Sequence, residues 1–201
     1  MIVFGGTFDP IHFGHLAAAR HVSKLLGDAT VVLMPAPMPQ LRQPPEASFE
    51  HRWQMSLLAS KLDDHLVASR FEDTSEGPTR TIETLQALAT KSKCTTVWVL
   101  GSDAFRNIAN WYDAEKLPEV ASLFVLTRPQ VEQLGSSTTF EQVTNAHRLL
   151  DGPGSFYVSR TKMPDISATV IRHRLRNGLD VSEMIPQEIR EHIMQNGLYQ
   201  S

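Results

Sequence analysis

Short apolar runs recur along the chain, each stopped by glycine or proline and followed by a longer stretch of helical periodicity. Ile2, Val3 and Phe4 stop at Gly5-Gly6, and residues 30–34 (TVVLM) stop at Pro35. Residues 95–100 (TTVWVL) stop at Gly101, and residues 122–126 (SLFVL) end before Arg128-Pro129. Residues 65–71 form a weaker run, and Phe156, Tyr157 and Val158 a short late one. Runs rich in β-branched residues and without polar alternation predict strands buried on both faces. Between them, Leu16, Ala19, Val22 and Leu26 mark one helical face, Trp53, Leu57 and Leu58 a second, and Ile82, Leu85 and Leu88 a third. Strands alternating with helices predict a parallel α/β sheet with right-handed crossovers, covered by its helices. Ligands in such sheets sit beyond the carboxyl ends of the strands, so the residues after each strand are the ones to inspect.

Composition narrows the class. The chain has 201 residues, a formal net charge of −3 and a single cysteine, Cys94. That length suits one domain spanning residues 1–201, with no repeat and no composition shift to divide it. No intramolecular disulfide is possible, and no apolar run reaches the length of a membrane span. The first residues show no basic n-region or long apolar stretch, so a soluble, cytoplasmic protein is expected. The mild acidity and dispersed basic residues disfavour nucleic-acid and membrane partners. Cys94 has no arguable base beside it and reads as structural or incidental.

Two segments carry candidate chemistry. The first runs GGTFDPIHFGH from Gly5 to His15 and leads into a helix expected from Leu16. Two glycines after a strand allow close backbone approach, and exposed amides before a helix N-terminus favour a phosphate. His12 and His15, three apart, could face the same way and donate hydrogen bonds to phosphoryl oxygens. Ordinary turn or capping histidines account for the same residues. The segment is neither G-x-G-x-x-G nor a P-loop, and a zinc site would need a third ligand nearby. The second segment, ISATVIR from Ile166 to Arg172, opens a helix running toward Arg176. Ser167 suits an N-cap, leaving first-turn amides, the Thr169 hydroxyl and the Arg172 fork for an anion. Taken alone, the segment is read more simply as a capped surface helix with exposed basic residues His173, Arg174 and Arg176. Five prolines among residues 35–45 mark a loop after the second strand, a rigid connector or a substrate-binding lid.

Together, GGTFDPIHFGH and ISATVIR resemble the two signatures of the nucleotidyltransferase superfamily, and most closely those of the bacterial nicotinate-nucleotide adenylyltransferases. The resemblance extends along the chain through the proline loop and HRWQM, the GSD at 101–103, NWY at 110–112, Arg128-Pro129 and the ending IPQEIREHIMQNGLY. It implies a Rossmann-like, doubly wound, mainly parallel sheet with helices on both faces and a C-terminal phosphate-binding helical segment near 165–201. It implies adenylyl transfer from ATP to nicotinate mononucleotide with release of pyrophosphate, forming the dinucleotide precursor of NAD. Mg²⁺ would arrive on the ATP, with no dedicated protein metal site. The partners would be small nucleotides, and the oligomeric state is not determined.

By the same resemblance, His12, His15 and Arg172 would be catalytic. Gly6, Thr7, Phe8, Ser167 and Thr169 would bind ATP. Arg42, Arg80, Thr81, Asp103, Trp111 and Arg128 would bind the acceptor side, Asp103 through a ribose hydroxyl and Trp111 by stacking on the pyridine. Two departures fall in the acceptor pocket. Leu41 stands where the family's proline loop carries histidine, and Arg80 stands where the family's Ser-Tyr-Thr carries tyrosine. They leave room for a different acceptor, nicotinamide mononucleotide among them. A non-catalytic nucleotide-binding paralogue is the alternative of another class, against which the retained histidines, hydroxyls and Arg172 count.

Overall fold

The computed structural model describes residues 1–39, 43–74, 80–92, 94–127 and 139–200. Its strands are β1 (Ile2–Gly6), β2 (Val31–Pro35), β3 (Leu66–Ala68), β4 (Thr96–Gly101), β5 (Ala121–Leu126), β6 (Glu141–Val143) and β7 (Ser155–Ser159). Its helices are α1 (Phe13–Leu25), α2 (Phe49–Ser60), α3 (Thr81–Lys91), α4 (Ser102–Arg106), α5 (Leu117–Val120), α6 (Ala168–Arg176) and α7 (Gln187–Gln195). The strands form one sheet in the order β3-β2-β1-β4-β5-β7-β6, and every pairing is parallel. This is the expected Rossmann-like, doubly wound α/β fold. The chain leaves β1 toward β2 and returns to β4 on its other side, so the switch point lies between the carboxyl ends of β1 and β4.

The sheet divides the apolar residues into two cores by strand alternation. Ile2, Phe4, Val97, Val99, Phe124 and Leu126 face one core, with the buried faces of α1, α2, α6 and α7. Val3, Trp98, Leu100, Leu123 and Val125 face the other, with residues of α3, α4 and α5. The uniformly apolar runs of the sequence are thus strands covered on both sides. β6, with the sequence EQV, carries no apolar run and is exposed, which is why periodicity does not reveal it.

The expected α1 and α3 faces are buried, through Leu16, Ala19, Val22 and Leu26 and through Ile82, Leu85 and Leu88. The expected α2 face is not. Trp53, Leu57 and Leu58 are only partly buried, and the fully enclosed side chains are Arg52, Met55, Ser56 and Ala59. A buried arginine displaces the apolar stripe by one position, because its guanidinium has acceptors inside. The helix after the histidine segment also starts at Phe13, one turn before the expected Leu16, with His12 at its N-cap. Its first amide, Phe13 N–H, donates to the Met184 carbonyl at 3.0 Å, so the C-terminal segment completes the N-terminus of α1.

Candidate active site

The histidine segment folds around its own side chains. His15 N–H donates to His12 Nδ1 and His12 N–H donates to His15 Nδ1, each at 3.3 Å. This is a reciprocal capping box with two imidazoles in place of the usual hydroxyl and carboxylate. The rings stack at 3.7 Å between centroids with an interplanar angle of 23°. Because both Nδ1 atoms accept backbone hydrogens, each neutral ring carries its proton on Nε2. The capping role and the phosphate-donating role are therefore compatible: one nitrogen fixes the ring and the other is a donor.

Small residues make this packing possible. A Cβ at Gly14 would lie 3.0 Å from the His12 ring, and one at Gly6 would lie 2.7 Å from the Phe8 ring. Phe8 is buried in a left-handed conformation, φ 49°, with its ring edge-on to Phe4 at 5.7 Å and to His15 at 5.1 Å. A bulky residue holds that conformation only where its surroundings enforce it.

Beneath the loop lies a polar hub that sequence reasoning did not assign. The Asp9 carboxylate, 5% exposed, accepts from Glu46 N–H at 2.9 Å, Ala47 N–H at 3.1 Å and the Tyr199 hydroxyl at 2.7 Å. The fully buried Arg52 donates to the carbonyls of Thr7 at 2.8 Å, Ala36 at 2.7 Å, Pro37 at 2.9 Å and Ala47 at 3.2 Å. Burial works against its charge, and the Asp9 carboxylate works for it. One side chain thus ties the glycine loop to the end of β2 and the approach to α2. Asp9 stands inside the GGTFDPIH segment, and that context was the available signal. Arg52 and Tyr199 stand in two other stretches of the resemblance, HRWQM and the ending IPQEIREHIMQNGLY, but neither was assigned a role from sequence.

The second segment meets the first here. Arg172 Nη1 donates to the Asp9 carbonyl at 2.8 Å, and its Nε donates to Glu46 Oε1 at 2.7 Å. Arg176, one turn later on α6, donates to the other Glu46 oxygen. Burial works to raise the Glu46 carboxyl, but the hydrogen bonds from Arg176 and Arg172 outweigh it and hold it below its ordinary value. Ser167 occupies the N-cap position of α6, but its hydroxyl makes no capping hydrogen bond. The expected side-chain cap is therefore not formed. Thr169 is exposed in the first turn, whose amides lack a side-chain partner from Ser167.

The acceptor-side candidates are spread around the switch point and the second face of the sheet. Asp103 lies in the first turn of α4, directly after β4, and pairs with Arg106 at 2.5 Å. Trp111 is half-buried against the second core. Arg80 takes the N-cap position of α3 and Thr81 its first helical position. The Arg80 guanidinium stacks over Tyr112 at 4.0 Å and pairs with Glu83 at 3.1 Å. Arg42, Leu41 and Arg128 lie outside the described residues.

Comparison with known proteins agrees with this architecture. A Yersinia enterocolitica protein named "probable nicotinate-nucleotide adenylyltransferase" is 32% identical across 98% of this chain and 94% of its own. A Pectobacterium atrosepticum protein of the same name is 34% identical across 98% and 97%. The fold matches that of the Plasmodium falciparum nicotinic acid mononucleotide adenylyltransferase, solved in complex with NaAD, with a TM-score of 0.75 and 20% identity over 98% and 96% of the two chains. No helix among the described residues is long and apolar enough to cross a membrane. The model of the cytidylyltransferase-like family matches residues 3–174, which takes in both motif segments, and the chain belongs to that family.

Proposed function

We propose that the protein transfers the adenylyl group of ATP to nicotinate mononucleotide. An oxygen of the mononucleotide phosphate forms a bond to the α-phosphorus, the bond from that phosphorus to the β-bridging oxygen breaks, and pyrophosphate departs with the electron pair. The carrying observation is the meeting of two motifs far apart in sequence: Arg172 donates to the Asp9 carbonyl at 2.8 Å, on the same loop that stacks His12 on His15. Relatives at 32–34% identity over nearly the whole chain, both named for this reaction, support it.

The reaction needs no covalent intermediate, so the protein contributes position and charge. His12 and His15 would donate from Nε2 to the ATP phosphates, with His15 stabilising charge on the reacting phosphoryl group. Backbone at Gly6, Thr7 and Phe8 would hold the nucleotides close. Ser167, Thr169 and Arg172 would hold the departing pyrophosphate. Mg²⁺ would enter on the triphosphate, since such ions are bound largely by substrate phosphates and water. Among the described residues, no three His, Cys, Asp or Glu side chains gather as a ligand set of their own.

On the acceptor side, Asp103 would bind a ribose hydroxyl and Trp111 would stack on the pyridine, with Thr81, Arg42 and Arg128 near the mononucleotide. Arg80, stacked on Tyr112 and paired with Glu83, places a guanidinium at the N-terminus of α3, where the helix dipole is also positive. That combination favours a pyridine carboxylate over a carboxamide. The test is pyrophosphate release by purified protein with ATP and a panel of acceptors. Turnover is expected with nicotinate mononucleotide well above nicotinamide mononucleotide. Turnover with another phosphate compound and none with nicotinate mononucleotide would replace the acceptor.

A further inference from the structure

The Arg172 and Arg176 side chains, one helical turn apart on α6, converge on a single carboxylate. Glu46 accepts from Arg172 Nε through Oε1 at 2.7 Å and from Arg176 Nη2 through Oε2. A carboxylate gripped by two guanidinium groups presents the charge and fork geometry that these groups would offer a phosphate. We propose that Glu46 is a specificity-determining residue, an internal anion that holds the Arg172–Arg176 clamp until a polyphosphate displaces it.

Displacement, rather than permanent strapping, follows from how each part is held. One of the two donors Glu46 occupies, Arg172, is the one the proposed reaction gives to the departing phosphates, and two anions on one fork repel each other unless a cation or proton intervenes. Glu46 is anchored through its backbone, whose N–H donates to Asp9 Oδ2 at 2.9 Å, whereas its side chain is 35% exposed and has solvent to turn into. Arg172 bonds the Asp9 carbonyl at 2.8 Å through Nη1, a different donor from the Nε that Glu46 occupies, so releasing Glu46 does not require that bond to break. The exchange therefore moves one carboxylate and leaves the arginine in place. The consequence is a threshold. A weakly binding small anion cannot repay the loss of two charge-assisted hydrogen bonds, and a polyphosphate with several negative oxygens can. On the product side, the returning carboxylate competes with pyrophosphate for the same donors.

This proposal rests on Arg172 being a triphosphate ligand, and the experiment separates the two. Inorganic pyrophosphate and tripolyphosphate are titrated calorimetrically into wild-type protein, E46Q, R172K and E46Q/R172K, with thermal melts run in parallel. E46Q keeps side-chain size and the backbone bond to Asp9 but removes the competing charge. It is expected to bind both anions about 10-fold tighter, as suits the loss of a charged competitor, with R172K weakening binding in either background. Unchanged or weaker binding to E46Q, with R172K still weakening it, overturns the competitor role and leaves the clamp. Binding insensitive to R172K in both backgrounds overturns the clamp and the competitor together. Should E46Q not fold, E46D serves, since the carboxylate drawn back by one methylene cannot span both arginines. E46D is expected to bind pyrophosphate more tightly than wild type, and equal or weaker binding overturns the proposal.

Discussion

The Tyr199 hydroxyl donates to Asp9 Oδ1 at 2.7 Å, joining the last turn of the chain to the loop that follows its first strand. Both groups are buried, and Glu46 N–H, Ala47 N–H and the carbonyl bond from Arg172 meet at the same residue. Burial, and then the neighbouring Asp9 carboxylate, push the Tyr199 phenol above its ordinary value, so it remains a donor throughout the working pH range. The C-terminal tail is in this way a structural part of the candidate active site.

Tyr199→Phe removes one donor from a buried carboxylate and leaves the ring packing intact. The expected cost is about 1–3 kcal/mol of stability, read by urea denaturation. A fall in kcat is expected alongside, because Asp9 carries the carbonyl that positions Arg172. Stability equal to wild type would show that the Asp9 hub does not depend on the tail.

His15→Ala removes both a ring donor and half of the reciprocal cap. The cap is worth about 1 kcal/mol, whereas loss of a donor to the reacting phosphoryl group lowers turnover roughly 10²–10³-fold. Pyrophosphate-release kinetics and a thermal melt on the same preparation separate the two. A large loss of stability with turnover little changed would assign His15 to capping alone.

Arg52→Ala withdraws a buried cation from four carbonyls and from the neighbourhood of Asp9. Breaking such an arrangement from one side costs roughly 3–5 kcal/mol, and the variant is expected to melt far below wild type. Arg52→Lys retains the charge but cannot fork toward Thr7, Ala36 and Pro37 together, so it should restore only part of the stability. A near-wild-type melt for the alanine variant would refute the role of Arg52 as the bolt of this site.

The pH dependence of stability has a specific contributor in Glu72, buried beside α3, where Thr84 Oγ1 donates to its Oε1 at 2.7 Å. Burial raises this carboxyl from 4.5 to about 7, partly opposed by the Thr84 hydrogen bond. Between these values the folded protein holds the proton and the unfolded chain does not. The contribution is therefore full below pH 4.5 and is lost as the pH rises through about 7. A shift of this size corresponds to about 3 kcal/mol. Glu72→Gln, neutral at every pH, is expected to flatten the stability profile between pH 5 and 8 and to exceed wild type at pH 8. Parallel profiles for the two proteins would exclude Glu72 as the source.

Much of the architecture was legible in the sequence, because a strand buried on both faces must be apolar throughout and a packed helix must repeat its apolar positions near every 3.6 residues. The runs at β1, β2, β4 and β5 and the faces of α1 and α3 satisfy those conditions locally. The two motif segments were legible for a similar reason: glycines, a cap and a helix start are neighbours along the chain. Where an element broke the local rule, the sequence misled. Arg52 occupies the core face of α2, so the apolar stripe was placed one position off. β6 has no apolar face to announce it.

What the sequence determined by itself is the fold class, the family resemblance and the two short segments suited to an anion. Only the tertiary structure decided what those segments do to one another. It stacked His12 on His15, set Arg172 against Asp9, gave Arg172 and Arg176 a shared carboxylate in Glu46, and brought Tyr199 beneath the first loop. These pairings link residues as much as 190 positions apart. No local periodicity records such a partner, because the contact exists only once the sheet has ordered its strands and the C-terminal helices have closed over α1 and α2.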